Sequence, residues 1–366
     1  MKKIISLILI SVVLISLVSC GNKYEPVPST EEEARVMLKM SDSVSSYSIK
    51  YELYRTFFLN YKSEIDGGDE SVWSGEDKDE YIRRINELIV DRITAIYATL
   101  SLASSLGINP YSAEFEDRIA ETVRLGVEGN EADITGHGGD YQAYLNSLKE
   151  VNMNYAVSEL LIRYDLTLQA LNEYYHGVVD PVLGALNGEF ETTEEAVRDY
   201  YDGDECVRVL NLYFPAGFRT KEELLTMKAA MESKNNSLEV GLYIIQNSTA
   251  LGSDIIDAER NIVGLTIGKY ALDSLYYSEY TDAVFAMDEL SVSDIITTDG
   301  ENAGSYIVYK LEKTDDYFED HYEVIKTSYI DNAMGKRIEQ LRSELAESID
   351  YTDAYEALSH KDISMN

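Results

Sequence analysis

Cysteine is almost missing from this 366-residue chain, which has only Cys20 and Cys206. No disulfide framework can hold it together, so buried apolar cores must do so, and a 45% hydrophobic chain of this length has material for more than one. Positive charge is equally short. Lys+Arg number 31 against 66 Asp+Glu, a formal net charge of −35. Phosphate contacts demand a basic surface, so nucleic acid is excluded as a partner. The four histidines, His137, His176, His321 and His360, are isolated from one another and offer no metal cluster. No glycine string has P-loop or dinucleotide spacing, so no cofactor is expected. There are no repeated parallel-strand units either, which tells against the two α/β lobes of a solute-binding protein.

The features present begin with an address. Lys2 and Lys3 precede an uncharged apolar run from Ile4 to Val18 that ends in small residues, the layout of a secretory signal. The run is short for a membrane-spanning helix, which needs about 20 apolar residues. Leu17-Val18-Ser19-Cys20 matches the lipobox, in which the cysteine thiol takes a diacylglycerol and cleavage makes that cysteine the new N-terminus. Residues 1–19 are therefore expected to be a cleaved signal and Cys20 the lipidated residue, facing the outside of the cell membrane. A lipidated Cys20 leaves Cys206 a lone thiol. Residues 20–34, polar and carrying Pro26 and Pro28, read as the anchor and a flexible tether.

Helical periodicity governs most of the mature chain. A short mixed segment, Arg35 to Met40, suits a strand. From Tyr47 to Ile65, Ile49, Leu53, Phe57 and Tyr61 recur every fourth position, which predicts an amphipathic helix ended by Gly67-Gly68. Further helices are predicted over 77–106, 112–128, 140–152 and 156–175. Thr192 and Glu195 suggest a capping box opening a short helix to Tyr201. At Gly203 the texture changes. Cys206 to Phe214 alternate as a strand, with Val207, Val209, Asn211 and Tyr213 on one side and Arg208, Leu210, Leu212 and Phe214 on the other. A helix over 221–234, short mixed elements and a second strand over 305–311 come next. One long helix over 317–348, with Tyr322, Ile325, Tyr329, Ala333, Ile338, Leu341 and Leu345 in a stripe, and a polar tail complete the chain.

The order of parts and several local strings resemble the parvulin-type foldase lipoproteins, the PrsA- and SurA-like group. The string Tyr51-Glu52-Leu53-Tyr54-Arg55-Thr56-Phe57-Phe58-Leu59-Asn60-Tyr61-Lys62 resembles the opening helix of that group's chaperone domain. Tyr280-Thr281-Asp282-Ala283-Val284-Phe285-Ala286-Met287, then Leu290-Ser291-Val292-Ser293-Asp294, resemble the parvulin helix ending in Ala-x-Phe and the turn after it. Ser305-Tyr306-Ile307-Val308-Tyr309-Lys310-Leu311-Glu312 resembles the closing strand. The resemblance spans about residues 46 to 348. It implies an α+β chain, mostly α: a SurA-like chaperone domain of N-terminal helices (35–203) and a C-terminal helix (315–350), with a parvulin-like α+β domain (204–314) inserted, then a polar tail (351–366).

That resemblance also implies a prolyl isomerase site, and here the chain departs from the pattern. Parvulins carry two histidines on adjacent strands beside an apolar pocket for the proline ring. The first position falls at Asn211, and its partner at Tyr306 or Ile307. No histidine lies within residues 204 to 314, so no shift of alignment restores the pair. Asparagine can hydrogen-bond but cannot tune a proton. The family's cysteine or aspartate role is open between Asp254, Asp257 and Glu259. Pocket positions map onto Tyr276, Tyr280 and Phe285, and Gly264-Leu265-Thr266-Ile267-Gly268 is a remnant of the family's glycine turn. The resemblance thus implies a membrane-anchored folding factor that binds unfolded secreted chains, with weak or lost isomerase activity. The alternative is an active peptidyl-prolyl isomerase.

Overall fold

Seven of the described helices start where short polar side chains satisfy one of the first free N–H groups. Ser112, Asp140, Asn154, Thr193, Thr220, Asn236 and Thr314 each accept a hydrogen bond from the backbone N–H three residues on, and each opens a helix. The computed structural model describes residues 24–67, 69, 71, 73, 75–130, 136–180, 184–185, 188–249, 263–271, 278–298, 304–360 and 363–364. Cys20 and the signal segment lie outside the described residues. Among those described, no helix is long and apolar enough to cross a membrane.

The chain opens with strands β1 (Val36–Ser41) and β2 (Ser46–Lys50), which pair antiparallel, and then helix α1 (Tyr51–Asp66). The helix expected from Tyr47 thus starts four residues late. Ile49 keeps its burial but gains it from β2, because β1 offers Ser46–Lys50 a partner that periodicity alone does not reveal. Gly67 ends α1 in the left-handed conformation at φ 56°. Helices α2 (Lys78–Ser105), α3 (Ala113–Glu128), α4 (Tyr141–Glu150) and α5 (Tyr155–His176) come next, close to their expected spans. A two-residue pair, β3 (Val179–Asp180) and β4 (Gly184–Ala185), leads to α6 (Glu194–Asp202). Its cap is Thr193, not Thr192; the capping box with both bonds made is Thr220–Glu223.

The α+β part comprises β5 (Cys206–Pro215), α7 (Lys221–Glu232), α8 (Ser237–Asn247), β6 (Leu265–Gly268), α9 (Ser278–Phe285), β7 (Ile296–Thr298) and β8 (Gly304–Leu311). Its strands form one antiparallel sheet in the order β6-β5-β8-β7. The expected single closing helix is two, α10 (Asp315–Asp320) and α11 (Tyr322–Glu347), broken at His321, whose ring meets that of Tyr317 at a tilt, 4.3 Å between centroids.

Helix α11 returns to the N-terminal helices. Ile338, Leu341 and Leu345 share one core with Ile85, Ile89 and Ile93 of α2 and with Leu53, Tyr54 and Phe58 of α1. Each such side chain contributes about 1.5–3 kcal/mol by burial. A second core joins α6, α10 and α11 through Tyr200, Tyr201, Tyr317, Phe318 and Ile325, and it encloses Cys206. Burial pushes the Cys206 thiol up to about 11, so it is inert at neutral pH.

Both ends of the described residues differ from expectation. The tether expected through residue 34 is docked from Tyr24 onward. Tyr24 is buried among Val123, Val127 and Tyr144, and its hydroxyl donates to Glu128 Oε1 at 3.0 Å. Ser29 Oγ donates to Glu52 Oε2 at 2.5 Å, and Glu33 pairs with Arg55 at 2.9 Å. The expected polar tail packs as well: β9 (Asp350–Tyr351) joins β1, α12 (Asp353–Glu356) comes after it, and Ile363 is buried in the main core. Sparse apolar residues suffice there because Tyr54, Phe58 and Asn86 form a ready surface for Tyr355 and His360.

Candidate functional site

Strand β5 lies inside the sheet, and its alternation divides two cores. On one face Leu210, Leu212 and Phe214, with Ile307 and Leu311 of β8, pack under Leu224 and Met231 of α7 and Val240 and Ile244 of α8. On the other face Val207 and Val209 pack with Tyr306 and Val308 of β8, Ile296 of β7, and Tyr280 and Val284 of α9. Of the residues singled out from sequence, Tyr280, Tyr306 and Phe285 belong to this second face.

Register decides which of the two candidate partners shares a face with Asn211. Asn211 stands opposite Val308, and Tyr213 opposite Tyr306, so Asn211, Tyr213 and Tyr306 project to the same side. Ile307 projects to the other side, fully buried among the α7 and α8 contacts, and cannot meet Asn211.

Helix α9 lays Tyr280 across this face. Its hydroxyl donates to Asn211 Oδ1 at 2.7 Å, and its ring meets that of Tyr306 edge-on at 5.1 Å. Tyr306 in turn stacks at a tilt on Tyr213, 4.8 Å between centroids. Tyr280 is 0% exposed and Tyr306 7%. Phe285, at the end of α9, is half-buried against the same cluster. Tyr276, Asp254, Asp257 and Glu259 lie outside the described residues.

Two contributors were not singled out from sequence. Tyr213 was legible as a neighbour of Asn211 by alternation, but its ring contact with Tyr306 required the register. Lys310 carried no local signal. Its Nζ donates to the carbonyls of Met287 at 2.6 Å and Val284 at 3.4 Å, so a cation caps the C-terminal end of α9 and fixes the helix that carries Tyr280. Burial lowers the Lys310 pKa.

Glycine is required at the edge of the sheet. Gly264 has φ +71°, and a Cβ there would meet Val209 O at 2.8 Å; one on Gly268 would meet Tyr200 Oη at 2.7 Å. These two glycines therefore let β6 approach β5 and α11 closely.

The histidines are engaged elsewhere. His137 contacts Ser147, His176 pairs with Asp331, His321 lies on Tyr317, and His360 meets the Tyr54 hydroxyl. Among the described residues no group of three His, Cys, Asp or Glu side chains could hold a metal. A separate open groove of about 830 Å³ runs between α2, α11 and β9. Its lining includes Ile82, Val90, Ala346 and Ile349, with Glu87, Asp91, Glu339 and Arg342 around them.

No protein-family model matches this chain. No curated protein matches it either. Solved structures of PrsA foldases do align with most of it. The foldase protein PrsA from Streptococcus pneumoniae is 17% identical, covering 87% of this chain and 97% of that one at a TM-score of 0.28. The peptidylprolyl isomerase PrsA from Bacillus anthracis is 15% identical over 70% of this chain and 96% of that one, TM-score 0.27. PrsA from Bacillus subtilis is 11% identical over 74% and 87%, TM-score 0.25. With scores below 0.5 and identities below 25%, the likeness carries no inference about activity, which must come from this chain's own residues.

Proposed function

We propose that this protein is a membrane-anchored extracytoplasmic folding factor that binds unfolded secreted segments and isomerises prolyl bonds weakly or not at all. The observation that carries the catalytic half is the closed Tyr280–Asn211 hydrogen bond on the β5–β8 face. Rotation of an amide out of conjugation is accelerated by desolvated donors aimed at the twisting bond. Here the Asn211 Oδ1 acceptor is taken up by the Tyr280 hydroxyl beside buried rings, and no histidine of the chain lies on this sheet. A surface that binds ground and transition states equally well accelerates nothing.

The binding half is supported by apolar surface outside the cores. Leu238, Leu242 and Ile245 form an exposed row on the outer side of α8, and Leu225 of α7 is exposed as well. The α2–α11 groove adds apolar lining from Ile82, Val90, Ala346 and Ile349 among ion-paired Arg83, Glu87, Asp91, Glu339 and Arg342. Strong negative charge favours cationic clients and makes binding weaker at high salt. In this reading residues 204–314 are the parvulin-like module within a chaperone module of 35–203 and 315–350, and the lipobox cysteine Cys20 is the anchor.

The test measures proline-limited refolding beside aggregation of an unfolded client, using residues 21–366. The expected result is an unchanged refolding rate with slowed aggregation at equimolar protein. A refolding rate that rises strongly with catalytic amounts of protein would establish the active isomerase instead, and unchanged aggregation would remove the holdase.

A further inference from the structure

A flexible tether ending at residue 34 would let the body stand about 50 Å from its lipid, at 3.3–3.6 Å per extended residue. The docked N-terminal segment removes most of that reach. Tyr24 is held in the α3–α4 core by its ring contact with Tyr141 at 5.1 Å and its hydrogen bond to Glu128. The Tyr141 hydroxyl donates to Glu25 O at 2.7 Å, so the next residue is pinned too. Farther along, Ser29, Glu33, Glu52, Arg55 and Asn154 form one hydrogen-bonded network. Only Gly21, Asn22 and Lys23 separate the lipobox cysteine from a buried residue.

We propose that the anchor is a short leash that holds the α3–α4 pole of the protein against the lipid headgroups, in one orientation. This rests on the reading of Cys20 as the lipidated residue. From Cys20 to Tyr24 the extended chain spans about 14 Å. Helix α3, with 16 residues, is about 24 Å long, so the leash cannot reach around it and the body cannot turn over. Helices α3 and α4 pack on α5, whereas the β5–β8 sheet neighbours α6 and α11 through β5 and β6. The exposed apolar row proposed for clients on α8, which packs on β5, therefore belongs to the part of the molecule not tied to the membrane.

Charge does not supply the orientation. Glu25, Glu128 and Asp140 make the pole acidic, and Arg124 is taken up by Glu121 and Glu128. Anionic headgroups would repel such a surface. Proximity set by covalent length is insensitive to salt, while proximity set by charge is not.

The test uses the full lipidated protein in phosphatidylcholine–phosphatidylglycerol vesicles that carry a headgroup energy-transfer acceptor. A fluorophore is placed at Gln142→Cys on α4 or at Lys221→Cys on α7; the native Cys206 is buried and stays unlabelled. The expected transfer is about twofold or more higher from position 142 than from 221, and the same at low and high salt. Inserting about ten Gly/Ser residues between Lys23 and Tyr24, which leaves every docked contact intact, should bring the two signals together. Mass spectrometry of the same samples reports the lipid. Lipid present with equal transfer from both positions, or a gap that vanishes with salt, overturns the leash alone. Absence of the lipid on Cys20 overturns the leash and the anchor together.

Discussion

Tyr280→Phe is the smallest change that opens the closed pair on the sheet face. The ring volume is kept, so the 5.1 Å contact with Tyr306 and the core around Val284 remain. The hydroxyl removed is the donor of the 2.7 Å hydrogen bond to Asn211 Oδ1. A net hydrogen bond is worth about 1 kcal/mol, and an acceptor left without its donor adds about 1 more when water cannot replace it. Asn211 is half-buried, so water replaces it in part, and the expected cost is about 1–2 kcal/mol. At 1.4 kcal/mol per factor of ten, backbone amides of β5 and β8 should lose protection from hydrogen exchange by about 5- to 30-fold. Amides of α2 and α11 should exchange as before. Tyr280→Ala would instead leave a cavity and cost about 3–5 kcal/mol. A double-mutant cycle with Asn211→Ala isolates the pair, with an expected coupling of about 1 kcal/mol. Unchanged protection in β5 and β8 for Tyr280→Phe, or zero coupling, would refute the reasoning that the two polar groups close on each other.

Leu341→Ala, at a fully buried site where α11 meets α2, should cost about 2–5 kcal/mol, read as a lowered midpoint in thermal circular dichroism. An unchanged midpoint would mean that α11 does not complete the N-terminal core. Burial opposes ionisation of Glu33, but hydrogen bonds from the Thr30 backbone, Arg55, the Thr30 hydroxyl and Asn154 together hold its pKa down at about 2. Because this is below the unfolded value, its stabilisation is full above pH 4.5 and fades as pH falls toward 2. Glu33→Gln should therefore destabilise by on the order of 2 kcal/mol at pH 7, after allowance for partial exposure, with most of the difference gone by about pH 3 in urea titrations. A pH-independent difference would exclude the ionic origin. Burial, and then Lys78, lower the pKa of His360 below 6.5. Docking of the C-terminal segment is thus strongest above that pH and weakens as pH falls through the folded-state value. Amide exchange at Tyr355 to Leu358 should accelerate at about pH 5 relative to about pH 7.5 in the wild type, beyond the intrinsic rate change, and His360→Gln should remove that excess. Finally, Cys20→Ala should leave an unlipidated precursor; a variant that still migrates as mature, detergent-partitioning protein would remove the anchor.

The helices were legible one at a time. Spacing of apolar residues at 3.6 is a local property, and the helices predicted from it over 112–128, 140–152 and 156–175 are observed as α3, α4 and α5 within about two residues at each end. Alternation in β5 was equally local and separated Asn211 and Tyr213 from Leu210 and Leu212. The absence of histidine from residues 204 to 314 needed no structure at all.

Tertiary structure decided the features that depend on a partner distant in the chain. Ser46–Lys50 became a strand because β1 pairs with it, against a helical pattern that begins at Tyr47. Tyr306 rather than Ile307 faces Asn211 because β8 pairs with β5 in one register, and a shift of one residue would exchange them. Tyr24 and His360 carry too few apolar neighbours in sequence to announce their docking; each docks because a surface built by helices far along the chain receives it. Local periodicity records which face of an element is apolar, and it holds no record of which surface will cover that face.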